Sequence, residues 1–137
     1  MRQMSEIVRD QNPLMLRPEA TVKHACQCMR ERRVGAVLVT DTEHRLLGIF
    51  TGRDAVGVLA DGKEAAKTRL ANVMTPDPDT MPPGKNAIEA LRLMRDGGFR
   101  HIPIVADGKV VGIVSKGDFR GSEQDRLDEE TGIWERL

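Results

Sequence analysis

Residues 112–118 have the sequence Gly-Ile-Val-Ser-Lys-Gly-Asp, and residues 48–54 have the sequence Gly-Ile-Phe-Thr-Gly-Arg-Asp. In both, a glycine and two apolar residues, typical of the end of a buried strand, precede a Ser/Thr-x-x-Asp pattern that favours a helix start. Each stretch therefore predicts a strand-to-helix junction. Unpaired backbone N–H groups and the positive end of the helix dipole at such a junction suit a phosphate. The neighbouring carboxylate suits a sugar diol.

The two stretches belong to a longer internal duplication. When residues 1–72 are laid over residues 73–137, with one residue fewer in a turn of the second copy, residues of the same type recur at matching positions. The matching pairs are Pro13 and Pro78, Pro18 and Pro83, Ala25 and Ala90, Met29 and Met94, and Arg30 and Arg95. Two copies favour a pair that buries a common face over an open repeat array.

The sequence pattern of each copy predicts strands and helices in the order β-α-β-β-α. The first helix of each copy has an apolar stripe at i, i+3, i+4 and i+7, with Thr21 and Asn86 as the N-caps. Two short apolar runs rich in β-branched residues follow in each copy. These runs cover residues 36–39, 46–50, 102–105 and 110–114. A second helix is predicted to begin at each of the Thr51 and Ser115 junctions, which gives a mixed α/β (α+β) fold.

Composition narrows the function classes. Lys plus Arg equals Asp plus Glu at 21 each, and the chain has no tyrosine and one tryptophan. This balance disfavours a nucleic-acid partner and an anionic membrane surface. No signal-like start and no apolar run of about 20 residues is present, so we expect a cytoplasmic protein without a membrane partner. Cys26 and Cys28 lie too close together to staple a fold and are expected to be reduced.

The duplicated Gly-h-h-Ser/Thr-x-x-Asp pattern (h apolar), the β-α-β-β-α order, and Val-Met-Thr-Pro at residues 73–76 resemble a tandem CBS domain pair, named for cystathionine β-synthase. The resemblance covers nearly all of residues 4–120. It implies two CBS repeats related by a pseudo-two-fold axis. We predict one repeat at residues 1–72, a second at 73–120, and an acidic C-terminal tail at 121–137. We expect the tail to dock its large apolar residues on the body, namely Leu127, Ile133, Trp134 and Leu137.

The resemblance also implies a ligand and its sugar contacts. The family's pairs bind adenosine-containing ligands such as AMP, ADP, ATP, NAD or S-adenosylmethionine in two clefts. Asp118 and Asp54 match the ribose-binding aspartate of the family, and Ser115 and Thr51 match its hydroxyl residue. A carboxylate can accept hydrogen bonds from both hydroxyls of a cis-diol, which favours a ribose without a 2′-phosphate.

Phosphate and adenine contacts are carried over in the same way. The resemblance places phosphate contacts at the start of the second strand, where the second copy has Arg100 and His101 and the first has Gly35 and Ala36. The remaining candidates are Lys116, Leu14 and Val34 for the Asp118 cleft, and Arg53, Asp79 and Phe99 for the Asp54 cleft. Because its phosphate region is richer in cations, we rank the Asp118 cleft first.

We therefore predict a stand-alone regulatory module that binds an adenosine nucleotide (AMP, ADP, ATP or NAD). We expect no enzyme activity, no catalytic cofactor and no metal, because the three histidines lie on different predicted elements. The expected partners are a second copy of the chain, in a homodimer, and an effector protein of unknown identity.

Two alternatives stay open. The Ser/Thr-x-x-Asp patterns can be plain capping boxes, each contributing about 0.5–2 kcal/mol to helix stability. The fold can also serve as an interaction or dimerisation scaffold that binds nothing in its clefts.

Overall fold

The computed structural model describes the backbone of residues 1–136 and the side chains of residues 1–129. In chain order the elements are α1 (Met4–Ile7), β1 (Met15–Leu16), α2 (Val22–Arg32), β2 (Ala36–Thr40), β3 (Leu46–Thr51), α3 (Gly52–Ala60), β4 (Thr75–Pro76), α4 (Ala87–Gly97), β5 (His101–Ala106), β6 (Lys109–Ser115) and α5 (Gly121–Arg136), with 3₁₀ turns at Leu70–Asn72 and Lys116–Asp118. The mixed α+β class is confirmed. Within the described part of the chain, no helix has the length and apolarity needed to cross a membrane.

The chain folds into two compact units that are not continuous in sequence. The Asp118 unit contains residues 1–11, 79–106 and 111–137, and the Asp54 unit contains residues 12–78 and 107–110. We name each unit after its predicted ribose-binding aspartate. The predicted division of the sequence at residues 72 and 120 stays a prediction.

The Asp54 unit is built on a four-stranded sheet with the order β1-β2-β3-β4. Strand β2 pairs in parallel with β1 and antiparallel with β3, and all five of its residues are buried. A continuous apolar run is what a strand covered on both faces requires. Helix α2 begins at Thr21, whose Oγ1 accepts from the His24 N–H at 3.1 Å. The core includes Phe50 and Leu70, both fully buried.

The Asp118 unit contains helix α4, strand β5, residues 111–115 of its neighbouring strand β6, helix α5 and the first eleven residues. Helix α4 begins with the capping box predicted for Asn86, whose side-chain Oδ1 accepts from the Glu89 N–H at 3.0 Å. It ends at Gly98, which has a φ of 69°, in the left-handed region that glycine tolerates. Ile102 and Ile104 of β5 are fully buried in the core of this unit.

The second junction differs from the prediction. At Ser115 the chain forms only a 3₁₀ turn, Lys116–Asp118, and Phe119 is extended with a φ of −91° and a ψ of 141°. The helix begins at Gly121, so the predicted acidic tail is helical from Gly121 to Arg136. At this point, where the chain leaves the helical path, the Phe119 side chain is 5% exposed and packs in the core.

The predicted docking of the tail can be followed for one residue. Leu127 is 8% exposed and belongs to the core cluster of the Asp118 unit, which agrees with that prediction. The side chains of Ile133 and Trp134, and all of Leu137, lie outside the described residues.

Candidate ligand site

The Ser115 junction places an exposed carboxylate beside a tight turn. The Ser115 N–H donates to Oδ2 of Asp118 at 2.7 Å, and the Ser115 hydroxyl lies 3.2 Å from the same oxygen. Asp118 is exposed, and among the described residues none donates a hydrogen bond to its Oδ1. One carboxylate oxygen therefore closes the turn, while the other is available to a hydroxyl donor from solvent.

The Thr51 junction has the same cap but continues as a helix. The Thr51 N–H donates to Oδ2 of Asp54 at 2.9 Å, and the Asp54 N–H donates to Oγ1 of Thr51 at 3.4 Å. Helix α3 then runs for nine residues, and Asp54 is half-buried. The capping boxes of the plain alternative are therefore present at both junctions. Because neither carboxylate is buried, the capping role leaves room for a ligand contact.

Three of the predicted contact residues line one cavity in the Asp118 unit. The cavity has a volume of about 390 Å³, and Phe99, Arg100 and Lys116 contribute to its wall together with residues of α4 and α5. The Lys116 N–H donates to the Arg100 carbonyl at 3.0 Å, which holds the start of the β5 region against the 3₁₀ turn. The cationic residues Arg100 and Lys116 therefore both line this cavity, and Lys116 belongs to the same turn as Asp118.

The cavity wall includes a cation that sequence reasoning missed. Arg95 of α4 lines the cavity, and its Nε donates to Asp96 at 3.1 Å. The sequence contained one signal for Arg95, since Arg30 and Arg95 match in the duplication. Gln124 and Asp128 also line the cavity. They lie on α5, which had not been predicted to be helical.

His101, at the start of β5, is half-buried. Burial lowers the pKa of His101, while the nearby Asp118 carboxylate raises it and the Arg100 guanidinium lowers it further. The balance is a pKa below the usual value for histidine. We therefore expect the ring to be neutral near pH 7, so that it can take up a proton when an anion approaches.

The remaining predicted residues are distributed over both units. Leu14 is 9% exposed and packs in the core of the Asp54 unit, while Val34 is 41% exposed. Gly35 accepts from the Gly52 N–H through its carbonyl at 3.1 Å. Arg53 and Asp79 are exposed, the first in the Asp54 unit and the second in the Asp118 unit. The assignment of Leu14 and Val34 to one ligand with Asp118, and of Asp79 and Phe99 to one with Asp54, stays a prediction, and so does a ligand contact at Gly35.

Metal binding receives no support in the part of the chain that the structure describes. There, no group of three or more His, Cys, Asp or Glu side chains has a geometry able to hold a metal ion. The contact of His24 Nε2 with Cys28 Sγ at 3.7 Å is an exposed pair on one helix.

Two strand-and-helix repeats, each with a capping aspartate in the turn that follows a strand, define the class of this protein. The family model for the CBS domain matches residues 4–61 and 70–123, which together cover most of the chain. The chain belongs to the CBS-domain family.

Similar proteins agree with this assignment. CBS domain-containing protein CBSCBSPB2 of Arabidopsis thaliana is 41% identical over 102 residues, which are 74% of this chain but only 19% of that protein. The chain thus spans about a fifth of the length of that plant relative. A CBS-domain-containing protein from Agrobacterium tumefaciens is 27% identical, with a TM-score of 0.77 over 85% of this chain and 94% of the other.

A third similar protein was solved with a ligand. It is a CBS domain protein from Pyrobaculum aerophilum complexed with AMP, 22% identical, with a TM-score of 0.84 over 93% of this chain and 98% of the other. At this level of identity the likeness shows a shared fold.

Proposed function

We propose that the protein is a regulatory module that binds an adenosine-containing ligand, with the Ser115–Asp118 turn as its main contact. One observation carries the proposal: Asp118 is exposed and uses one carboxylate oxygen to cap its own turn, while the adjacent Lys116 lines a cavity that also contains Arg100. A diol acceptor and one phosphate partner are thereby provided by the same turn, and Arg100 lies against that turn through its carbonyl, which accepts from the Lys116 N–H.

The geometry suggests which part of the ligand each of these residues would contact. The carboxylate of Asp118 would accept hydrogen bonds from the 2′ and 3′ hydroxyls of the ribose, bonds that are stronger for an ionised acceptor. Lys116 and Arg100 would approach the phosphate, and His101 would become protonated as the negative charge arrives. Because the pKa of His101 is lowered without a ligand, this protonation would make binding of a phosphate ligand stronger in mildly acidic solution.

The ligand class includes AMP, ADP, ATP and NAD. The AMP complex of the Pyrobaculum protein supports AMP as the first compound to test, although that protein shares only the fold with this chain at 22% identity. We rank the Thr51–Asp54 junction second, because Asp54 is half-buried and Arg53 is its only neighbouring cation in the motif.

Regulation through a partner completes the proposal. A ligand can shift a partner only if it binds two states of the module with different affinity. We propose that the module forms a homodimer in the cytoplasm, reports nucleotide state to an effector protein, and has no enzyme activity of its own. His24, His44 and His101 lie on α2, in a turn and on β5, respectively, and do not form a nucleophile–base set.

Release of bound small molecules tests the proposal. The protein is purified without added nucleotide, denatured, and its released compounds are identified by mass spectrometry. Isothermal titration calorimetry with AMP, ADP, ATP, NAD and S-adenosylmethionine follows. We expect an adenosine compound to be released or to bind. If no compound is released and none produces heat, the scaffold alternative replaces this proposal.

A further inference from the structure

The first eleven residues, which we call the N-terminal arm, are fixed to the Asp118 unit by backbone hydrogen bonds. The Met4 N–H donates to the Lys85 carbonyl at 2.8 Å, and the Ala87 N–H donates to the Arg2 carbonyl at 2.9 Å. Met4 is fully buried in the core of the unit. These contacts anchor the backbone at Arg2 and two residues after it, so the reach of its guanidinium is restricted.

The Arg2 guanidinium makes contacts at two places at once. Its Nη2 and Nε donate to the two carboxylate oxygens of Glu123, at 2.6 Å and 3.2 Å, and Nη2 also donates to the backbone carbonyl of Asp118 at 3.1 Å. Glu123 is only 6% exposed, and its Oε1 accepts from the Arg120 N–H at 2.8 Å. One side chain therefore connects the arm, the Ser115–Asp118 turn and the start of α5.

The backbone of the Ser115–Asp118 turn lacks a hydrogen bond that a continuing helix would provide. In an α-helix the carbonyl of residue i accepts from the N–H of residue i+4, but here the helical path stops at Phe119. The Asp118 carbonyl is therefore left without a helical partner, and Arg2 supplies the donor that a continuing helix would have supplied. Inside the turn, the Phe119 N–H reaches the Lys116 carbonyl only at 3.4 Å.

Ligand binding would weaken the turn further. The Asp118 carboxylate closes the turn through its 2.7 Å bond from the Ser115 N–H, and a sugar that recruits both carboxylate oxygens competes with that bond. The bond from Arg2 goes to the backbone carbonyl instead, so it persists when the side chain turns. It can keep the backbone in place while the carboxylate changes partner.

We propose that Arg2 is a positioning residue for the ligand turn, and that Glu123 orients its guanidinium. Arg2 does not touch the ligand in this arrangement. It holds the backbone of Asp118 so that the carboxylate faces the ligand without a further ordering cost. The affinity part of this inference rests on the proposed function, whereas the effect on the turn is measurable without any ligand.

The simpler explanation is that Arg2 and Glu123 form an ion pair that only stabilises the fold. In this pair the Glu123 side chain is buried and the Arg2 side chain is partly buried. Removing Arg2 would leave the Glu123 charge uncompensated and destabilise the protein, while replacing both partners by apolar residues is often neutral. The two explanations therefore separate in the double variant Arg2→Met/Glu123→Leu. It lacks the buried charge but also lacks the donor to the Asp118 carbonyl.

The experiment compares Arg2→Met, the double variant, and Arg9→Met, an exposed arginine on the same arm, as the matched control. Amide hydrogen exchange of Ser115, Lys116 and Phe119 is measured by NMR without ligand, and AMP affinity is measured by calorimetry. We expect faster exchange at the turn and about tenfold weaker AMP binding in Arg2→Met, as the loss of one charged donor implies. The double variant should regain thermal stability but neither turn protection nor affinity. Arg9→Met should match the wild type.

Three results would overturn the inference: wild-type exchange at the turn in Arg2→Met, wild-type AMP affinity in that variant, or recovery of protection and affinity in the double variant. If Arg2→Met does not fold, Arg2→Lys provides the test. It keeps a cation for Glu123 but not the planar fork that also reaches the carbonyl. If the wild type does not bind AMP, the affinity comparison uses whichever adenosine compound it does bind. Absence of binding to all of them would count against the proposed function, and the exchange data would still decide the role of Arg2.

Discussion

The two junctions begin with the same motif and reach different structures. After Thr51 the chain continues as α3, whose first turn is closed by a reciprocal capping box with Asp54. After Ser115 the chain makes a single 3₁₀ turn, becomes extended at Phe119, and is held from outside by Arg2. The motif thus encodes a capped turn, and the residues that follow decide whether the turn becomes a helix. In the second copy the result is a more exposed carboxylate.

The residue after each aspartate accounts for the difference. Phe119 follows Asp118 and is 5% exposed, whereas Ala55 follows Asp54 and is half-buried. An alanine fits a continuing helix without rearrangement, and it has the highest helix propensity. A phenylalanine ring gains more from burial than a short 3₁₀ turn gains from one further hydrogen bond. The helix therefore restarts at Gly121, with Glu123 accepting from the Arg120 N–H at its first turn.

The largest effect should come from removing that ring. Phe119→Ala is expected to lower the free energy of unfolding by about 3–5 kcal/mol, because a buried aromatic side chain is replaced by a cavity. Ala55→Gly, at the matching position, should cost only about 0.5–1 kcal/mol. Urea unfolding followed by circular dichroism measures both. Equal losses in the two variants would show that Phe119 does not determine the path of the second junction.

Replacing each aspartate by alanine should separate its role in capping from its role in ligand binding. Asp118→Ala should weaken the binding of an adenosine nucleotide by roughly 100-fold, because two bonds to a charged acceptor are lost. Asp54→Ala should affect affinity less, yet cost more stability, about 0.5–2 kcal/mol, because it removes the capping-box acceptor of the Thr51 N–H at the start of a nine-residue helix. Calorimetry and thermal unfolding of both variants give the two rankings. A larger affinity loss in Asp54→Ala would reverse our order of the junctions.

Most of the element order followed from periodicity and caps. Thr21, Asn86 and Thr51 each begin a helix as predicted, since their side chains accept from backbone N–H groups three residues on. Asp107 and Gly108, between β5 and β6, both have a positive φ, which is the backbone conformation of the two-residue hairpin turn that an Asp-Gly pair favours. These features depend on neighbours in sequence, which is why they can be predicted.

The predictions that were wrong or missing concern features that depend on residues distant in sequence. Nothing near Ser115 shows that the ring of Phe119 packs in the core or that Arg2 reaches the Asp118 carbonyl from the other end of the chain. For the same reason α5 was not predicted: its polar sequence has a weak apolar stripe, and Leu127 becomes a core residue only because α4 lies beside it. Local patterns place the candidate site, whereas long-range packing decides its shape.

The smallest effect concerns His101, which has only Ala36 as its counterpart in the first copy. Burial holds the pKa of His101 below the value of about 6.5 that the ring has in an unfolded chain. The unfolded state therefore binds the proton first, and stability should fall as the pH drops below about 6.5. Urea unfolding at pH 7.5 and pH 5.5 should show a smaller difference in the free energy of unfolding for His101→Gln than for the wild type. In Asp118→Ala, which lacks the carboxylate that raises this pKa, an NMR titration of the His101 ring should give a still lower pKa. A higher pKa in that variant would mean that Asp118 does not face the ring, and the second junction would lose the histidine from its proposed phosphate contacts.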